Sequence, residues 1–388
     1  MTTAPPAAGR SSLLADFDAG KTAALARAVS MVENQRDGFE QLLSALHSRI
    51  GRARRIGVTG PPGAGKSTLT TQLVNQYRAA GLKVGVIAVD PTSPFTGGAL
   101  LGDRVRMESV ALDPGVYIRS LATRGSLGGI SSATRSVADV LDAFGFDRII
   151  METVGVGQSE LDIARAADTT IVILVPESGD SIQALKAGLM EIADVFVVNK
   201  ADRPGAERVR NDIELMLGMK HGLALEAAGG HHGVDLKGIT SPGKAARVAA
   251  RRDEAESWTP PVALTVAQKG EGITELVEHL ERHWRYLEGG ELQGGVVQGG
   301  MVQGGELQGG ELQGGTGTEL QRRRRRRLRE QVMDVAEYRL RRRLWNDGQV
   351  LAFIDAVLPR IERGEVSPYG IADELLAKGA PAIARTSP

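Results

Sequence analysis

The sequence predicts an α/β fold with a mostly parallel central sheet flanked by helices on both faces. Short apolar runs alternate along the chain with segments of helical periodicity, which is the pattern of a doubly wound fold. Most of these runs are β-rich and apolar on both sides, as strands are when helices cover both faces of the sheet. The predicted strands are RIGVT, KVGVIAVD, VYIRSL, RIIMETV, TTIVILV, DVFVVN and PVALTV.

The composition excludes several classes of protein. The chain has 388 residues, 42% of them hydrophobic, with no net charge and no cysteine. The absence of cysteine excludes disulfides, cysteine-ligated zinc and thiol catalysis. The zero net charge gives no reason to expect a nucleic-acid or membrane partner. Without a signal peptide or an apolar run of membrane-spanning length, we expect a cytoplasmic protein.

Helical segments precede the α/β region. Residues 1–20 are rich in Ala, Pro, Ser and Gly and are predicted to be disordered. Apolar residues at helical spacing then predict two amphipathic helices within residues 21–54. The α/β domain itself is predicted to extend over residues 55–288.

The composition changes sharply after the predicted domain. Residues 289–317 contain a five-residue repeat, ELQGG and its variants, whose glycine content predicts a flexible tether. Residues 318–388 then contain six consecutive arginines near their start, at 322–327, and three helical patterns. We interpret this last region as a helical arm that packs on the domain or on another subunit.

The loop after the first predicted strand carries the most specific motif. It reads GPPGAGKST and matches GxxxxGK[ST], between a strand and a helix as a P-loop requires. Glycines let backbone N–H groups surround phosphate oxygens, and the helix N-terminus adds partial positive charge. Lys66 is expected to reach the β- and γ-phosphates, and Ser67 to ligate Mg²⁺. The predicted phosphate-binding residues are Gly60, Pro61, Pro62, Gly63, Ala64, Gly65, Lys66, Ser67 and Thr68.

A second motif predicts that the base is guanine. Asn199-Lys200-Ala-Asp202 follows the strand DVFVVN directly. The Asp202 carboxylate can accept hydrogen bonds from guanine N1–H and N2–H₂, a pair that adenine lacks. A charged acceptor contributes roughly 1.5–3 kcal/mol, which predicts a preference for GTP over ATP. Asn199 is predicted to tie the base loop to the P-loop, and the stem of Lys200 to cover the base.

Carboxylates at other strand ends are predicted to complete a catalytic site with Lys66. Glu152-Thr-Val-Gly155 stands where GTPases usually carry DxxG, so Glu152 is expected to organise Mg²⁺ and Gly155 to contact the γ-phosphate. Asp90 ends the second strand and Asp103 follows a glycine-containing segment. Both are predicted to join the magnesium site, because the carboxyl ends of parallel strands share one edge of the sheet.

The residue after Gly155 predicts slow hydrolysis. Ras-like enzymes place a glutamine there to orient the attacking water. This chain has Val156 instead. We therefore expect a slow intrinsic rate that rises when a partner reshapes the site.

Beyond these motifs, the chain resembles the MeaB/ArgK/MMAA group of P-loop GTPases. The resemblance rests on GPPGAGKST, VDPTSPFTGGALLGDRVRM, METVGVGQSE, PESGDSIQALKAG and NKAD. It implies a homodimeric metallochaperone that uses GTP to gate adenosylcobalamin loading of acyl-CoA mutases such as methylmalonyl-CoA mutase. It places Asp180, Gln183 and Lys186 in a switch that relays between client and nucleotide. In the loop beside the base, Val266-Ala267-Gln268 replaces the usual Ser-Ala and is expected to offer N–H groups to guanine O6.

Two alternatives stay open at this point. A nickel-insertion GTPase has a related fold, but such proteins normally bind metal with Cys and His. A P-loop kinase is the other alternative, although kinases seldom need the guanine selectivity that Asp202 predicts.

Overall fold

The structure is a computed structural model that describes residues 7–90, 107–122, 132–153, 159–176, 188–220, 258–289 and 317–384. Its centre is a seven-stranded sheet in which every pairing is parallel. The strands are β1 (Arg54–Thr59), β2 (Val84–Asp90), β3 (Val116–Ala122), β4 (Arg148–Glu152), β5 (Thr169–Leu174), β6 (Val195–Asn199) and β7 (Val262–Thr265). The sequence prediction of an α/β fold is confirmed, and each of the seven predicted runs forms a strand.

The strand order explains where a ligand can bind. It is β3-β2-β4-β1-β5-β6-β7, so β1 lies in the middle with β4 on one side and β5 on the other. The chain fills one half of the sheet as far as β4 and then crosses to the other half. Ligands of open α/β sheets bind at this kind of crossing point, outside the carboxyl ends of the strands. The P-loop follows β1 at this position.

Helices precede, connect and follow the strands. They are α1 (Ala7–Asp18), α2 (Thr22–Glu33), α3 (Phe39–Leu46), α4 (Lys66–Ala79), α5 (Glu108–Ala111), α6 (Ser132–Phe144), α7 (Ser159–Ala166), α8 (Met190–Ile192), α9 (Ala206–Lys220), α10 (Ile273–Leu287), α11 (Glu319–Trp345), α12 (Gly348–Glu362) and α13 (Pro368–Ala384). One face of the sheet is covered by α6, α7 and α9, with α2 and α3 packed on α6, and the other face is covered by α4 and α10. Every residue of β5 and β6 is buried, which accounts for their uninterrupted apolar sequences.

The N-terminal segment differs from its prediction. Disorder was expected over residues 1–20, yet residues 7–18 form helix α1, so the expectation is wrong there. The reason is a small apolar stripe, because Leu13 and Phe17 are both buried in the core. Phe17 also packs edge-to-face on Phe144 of α6 at 4.9 Å between ring centroids. The two helices predicted to follow are confirmed as α2 and α3.

The chain divides into two compact units, residues 1–323 and 324–388. The second unit contains most of α11 and all of α12 and α13. Its buried side chains include Leu344, Val350, Val357 and Ile371. None of the helices in the described part of the chain has an apolar stretch of the length that a bilayer requires.

The two described residues that flank the repeat, Gly289 and Thr318, lie close together. A Cβ placed on Gly289, just before the repeat, would lie 3.3 Å from Cγ2 of Thr318, just after it. Helix α11 begins there with a capping box, in which Gln321 N–H donates to Thr318 Oγ1 and Thr318 N–H donates to Gln321 Oε1. Its first turn packs on α10 through Leu320, which contacts Trp284 and Leu287. The residues that flank the repeat therefore lie side by side, and the repeat itself lies outside the described residues.

We therefore expect deletion of residues 290–316 to leave the first unit folded. Joining Gly289 to Gly317 links the chain next to the contact between Gly289 and Thr318, and it removes the entropy cost of closing a long loop. The melting temperature should stay the same or rise by a few degrees, since about 1 kcal/mol shifts a domain of this size by roughly 2–4 °C. Differential scanning calorimetry measures this shift. A loss of more than about 5 °C would contradict the adjacency of the two ends.

Candidate nucleotide-binding site

The P-loop connects β1 to α4 with backbone geometry that glycine alone accommodates easily. Gly60, Gly63 and Gly65 all have φ in the positive range. A Cβ on Gly60 would lie 2.2 Å from the Ile173 carbonyl oxygen, and one on Gly65 would lie 2.3 Å from Asn199 Nδ2. The loop is therefore pressed against β5 on one side and against the base loop on the other.

Lys66 begins α4 and is folded back over the P-loop. Its side-chain nitrogen donates to the Gly60 carbonyl at 2.9 Å and to the Pro61 carbonyl at 3.1 Å. The residue is buried. An ammonium held at the P-loop by two backbone carbonyls is a preorganised partner for phosphate oxygens, since it is already at the site when the ligand arrives.

The next residue connects the P-loop helix to β4. Ser67 Oγ donates to Glu152 Oε1 at 2.6 Å, and both residues are buried. Beside them, the hydroxyls of Thr59 and Thr153 lie 3.0 Å apart, also buried. The end of β1, the start of α4 and the end of β4 are thus joined by two polar contacts. Neither threonine was singled out from the sequence, although each is a polar residue directly beside a motif at the end of an apolar strand.

Asn199 links the P-loop to the loop expected to hold the base. Its Nδ2 donates to the Ala64 carbonyl at 2.8 Å. Its Oδ1 accepts from Thr265 Oγ1 and from the Ala267 N–H, each at 3.1 Å. Since Asn199 is buried and bonded at both ends of its amide, it fixes the spacing between the phosphate and base loops.

Asp202 lies in the loop that follows β6, three residues after Asn199. Lys200 has the left-handed φ of 58°, which is uncommon for a residue with a side chain, and it turns the chain back after β6. The Ala201 N–H then donates to the Thr265 carbonyl, so the motif is pinned to β7. The Asp202 side chain is 43% exposed, and its Oδ2 lies 3.4 Å from Lys269 Nζ. Sequence reasoning missed Lys269, because nothing in its local pattern reveals where its side chain lies.

Several predicted site residues fall outside the described residues. These are Asp103, Gly155, Asp180, Gln183 and Lys186. Asp90 ends β2 as predicted, but its side chain is also outside the description. Its backbone lies two residues beyond Ala88, which is the register partner of Glu152. The backbone therefore places Asp90 on the strand next to Glu152, at the carboxyl edge of the sheet.

The opposite end of β6 is fixed by a buried ionic cluster. Asp194, one residue before the strand, accepts from both terminal guanidinium nitrogens of Arg323 at 2.9 and 3.0 Å. It also accepts from the Thr170 N–H at 2.8 Å and lies 3.3 Å from His283 Nε2. Burial alone would raise the pKa of the Asp194 carboxyl, but His283 and Arg323 lower it to about 2. The strand that ends in Asn199 is thus anchored at its beginning by a residue of α11.

The chain is similar to several known proteins. A Pyrococcus horikoshii protein described only as a GTPase is 46% identical over 269 residues, or 69% of this chain and 76% of that protein. The Escherichia coli GTPase ArgK is 45% identical over 187 residues, covering 47% of this chain and 56% of that protein. The mouse mitochondrial methylmalonic aciduria type A homolog is 33% identical over 288 residues, which cover 70% of this chain and 63% of that protein. A crystal structure of a LAO/AO transport system kinase has a similar fold, with a TM-score of 0.57 at 23% identity over 99% of this chain and 100% of the other.

The parallel sheet, the P-loop and the motif at Asn199–Asp202 define the class of P-loop GTPases. Within that class, residues 25–299 match the model of the methylmalonyl-CoA mutase-associated GTPase family MeaB. The chain belongs to this family. The resemblance inferred from the sequence is therefore confirmed, and with it the expectation that the protein is a GTPase.

Proposed function

We propose that this GTPase is a chaperone for a cobalamin-dependent acyl-CoA mutase of the methylmalonyl-CoA mutase type. In this role, its nucleotide cycle gates the loading of adenosylcobalamin and protects or reactivates the mutase. The observation that carries the proposal is the match of residues 25–299 to a family described by its association with methylmalonyl-CoA mutase. The mouse relative, whose name refers to methylmalonic aciduria, supports the same client.

In the proposal, each part of the nucleotide is bound by its own set of residues. The amides of residues 60–68 surround the phosphates, with the Lys66 ammonium reaching the β- and γ-phosphates. Asp202 accepts from the guanine edge, while Lys200 and the backbone of residues 266–268 flank the base. Asn199 sets the distance between these two halves through its bonds to Ala64 and Ala267.

The residues beside Lys66 fit a magnesium ion. Mg²⁺ prefers hard oxygen ligands, and the Ser67 hydroxyl and Glu152 carboxylate form a buried oxygen pair 2.6 Å apart. In the proposal these two groups hold the ion together with Asp90 and Asp103. The ion, when bound, neutralises charge on the β- and γ-phosphates.

The same contacts offer a route from nucleotide to client. Thr153 donates its N–H to the Val58 carbonyl at 3.0 Å, and its hydroxyl meets Thr59. A conformational change at Ser67 and Glu152 would therefore occur beside Thr153, where the segment that contains Gly155 begins. In the proposal, Gly155 contacts the γ-phosphate, and Asp180, Gln183 and Lys186 pass the nucleotide state to the mutase as conformational relays.

We also propose that the second unit forms a homodimer contact. Leu328, Val332 and Val335 follow one another at helical i, i+4 and i+7 spacing in α11, and all three are exposed. Val332 alone is 69% exposed. Exposed apolar stripes of this kind mark interaction surfaces. Sedimentation should give twice the monomer mass for the wild type, and the monomer mass for Val332→Glu combined with Leu328→Glu.

Slow turnover by the isolated protein is a direct expectation. Val156 takes the place of a water-orienting glutamine, so we expect single-turnover hydrolysis on the order of 10⁻³ s⁻¹, as in GTPases without their activator. Adding methylmalonyl-CoA mutase should raise the rate, because the partner completes the site. Fast hydrolysis by the purified protein alone would contradict this expectation.

The client is tested by binding in defined nucleotide states. The full-length protein is mixed with methylmalonyl-CoA mutase and either GDP or a non-hydrolysable GTP analogue, and complexes are measured by native mass spectrometry. The proposal predicts a complex whose stability differs between the two nucleotides, and adenosylcobalamin transfer into the apo-mutase that depends on GTP. Equal transfer with and without nucleotide, or no complex in either state, would overturn it.

A further inference from the structure

The ion pair between Asp202 and Lys269 lies at the place where the guanine base is expected. The Lys269 ammonium is 3.4 Å from Asp202 Oδ2, and the side chains are 56% and 43% exposed. Among the motif residues, Asp202 is the one that distinguishes guanine from adenine. A cation beside its carboxylate is therefore beside the edge of the base on which specificity depends.

The loop that carries Lys269 is firmly held. Val266 and Glu271 exchange two backbone hydrogen bonds, at 3.1 and 3.3 Å, which closes the loop at its base. Inside it, residues 267–269 form a 3₁₀ turn that ends in the left-handed Gly270. A Cβ on Gly272 would lie 2.1 Å from the Leu264 carbonyl oxygen, so the return to α10 has no room for a side chain. The position of the Lys269 backbone is thus fixed relative to β7.

The same loop is fixed relative to the P-loop. Asn199 joins the Ala267 N–H to the Ala64 carbonyl, so one side chain spans both loops. A nucleotide whose phosphates lie on residues 60–67 would therefore present its base at a set distance from Lys269. This argument rests on the proposed nucleotide site.

The chemistry of the guanine edge assigns a role to the ammonium. Along that edge guanine presents N2–H₂, then N1–H, then the O6 carbonyl. The Asp202 carboxylate takes the first two groups, which are donors. The next group, O6, is an acceptor. Two of the N–H groups expected to serve it, those of Val266 and Ala267, already donate to Glu271 and Asn199. The next charged protein group beyond the carboxylate is the Lys269 ammonium. We propose that Lys269 is a second specificity residue, which stays paired with Asp202 and donates a hydrogen bond to guanine O6.

This arrangement would disfavour adenine at two contacts, one with Lys269 and one with Asp202. Adenine carries an amino group where guanine has O6, so its hydrogens would face the ammonium, which is also a donor. Adenine also has no N1–H for the carboxylate. An unpaired or opposed polar group at a recognition site costs more than a merely missing contact. Asp202 would thus accept hydrogen bonds from the two donor groups of guanine, and Lys269 would donate one to its acceptor, O6.

The test compares three diphosphates on two full-length proteins. Lys269→Met keeps most of the apolar stem and removes the charge, and dissociation constants are measured by calorimetry for GDP, IDP and ADP. IDP shares O6 and N1–H with GDP but lacks the 2-amino group. We expect the variant to lose about fivefold in affinity for both GDP and IDP, since an exposed charge contact contributes up to about 1 kcal/mol. ADP binding should stay at its weak wild-type level.

Controls separate this role from others. Lys83→Met, at the opposite end of the sheet before β2, should leave all three dissociation constants unchanged. Tighter GDP binding by Lys269→Met would mean that Lys269 competes with the base for Asp202, and it would overturn the proposal. Unchanged GDP binding, or a loss for GDP without a loss for IDP, would also overturn it. Failure of the wild type to bind GDP at all would instead refute the proposed function.

Discussion

The Lys66→Ala variant is expected to turn over GTP at least about a hundredfold more slowly than the wild type. Lys66 is buried in the P-loop, where its ammonium is held by the Gly60 and Pro61 carbonyls at 2.9 and 3.1 Å. A cation preorganised at the point where charge develops on the phosphates stabilises the transition state without further rearrangement. Alanine leaves nothing in its place. Single-turnover assays with labelled GTP measure the loss.

Two further measurements separate the loss of the charge from a loss of packing or of folding. The Lys66→Met variant retains the packing of the stem, so it should be as inactive as Lys66→Ala if the charge is what matters. Both variants leave two carbonyls without their donor, which costs about 1–3 kcal/mol of stability. Thermal melts should therefore show a modest decrease, with folded protein at 25 °C. A Lys66→Met variant with near wild-type turnover would contradict the role of the ammonium.

Breaking the pair between the buried Asp194 and Arg323, whose side chain is 30% exposed, should produce the largest loss of stability. The Arg323→Met variant leaves the Asp194 carboxylate, whose side chain is 8% exposed, without its two guanidinium contacts. Removing one partner of a buried pair costs about 3–5 kcal/mol. His283 and the Thr170 N–H remain beside the carboxylate, so we expect the lower end of that range. Urea unfolding monitored by tryptophan fluorescence measures it.

A matched control lies two residues further along the same helix. Arg325 is exposed, so Arg325→Met should change the free energy of unfolding by less than about 0.5 kcal/mol. Equal losses for the Arg323 and Arg325 variants would contradict the anchoring role of the pair.

The same cluster predicts how stability depends on acid. The pKa of the Asp194 carboxyl is lowered from 3.8 to about 2 in the folded protein. A carboxyl with a lowered folded pKa adds stability above its unfolded pKa and loses it as the pH falls through the folded value. The shift corresponds to about 2 kcal/mol. The wild type should therefore lose this contribution between about pH 4 and pH 2, and Arg323→Met should lose less over that interval.

The sequence was most informative where local pattern and tertiary environment agree. Strands β1, β2, β4, β5 and β6 could be predicted because nearly all of their residues are buried. The edge strands β3 and β7 are only partly buried, and their β-rich composition predicted them. The P-loop was predictable because its chemistry lies in one continuous segment with glycines at fixed positions. Asn199 could be placed for a similar reason, since it follows a recognisable strand directly.

What the sequence did not reveal depends on contacts between distant residues. Asp194 and Arg323 are separated by 129 positions, and Arg323 is one of six consecutive arginines with no local mark of its own. Helix α1 was missed because its composition is typical of disorder. Its two buried residues stabilise it through contacts with distant parts of the chain, such as that of Phe17 with Phe144. The adjacency of Gly289 and Thr318 is likewise invisible in a repeat rich in glycine.

We expect residues 60–67 to bind the phosphates of a nucleotide whose guanine base hydrogen-bonds to Asp202. Isothermal titration of the wild-type protein with GDP and with ADP in the presence of magnesium tests it most directly. GDP should bind more tightly than ADP by at least about one to two orders of magnitude. Equal affinity for the two nucleotides, or no heat of binding with either, would contradict it.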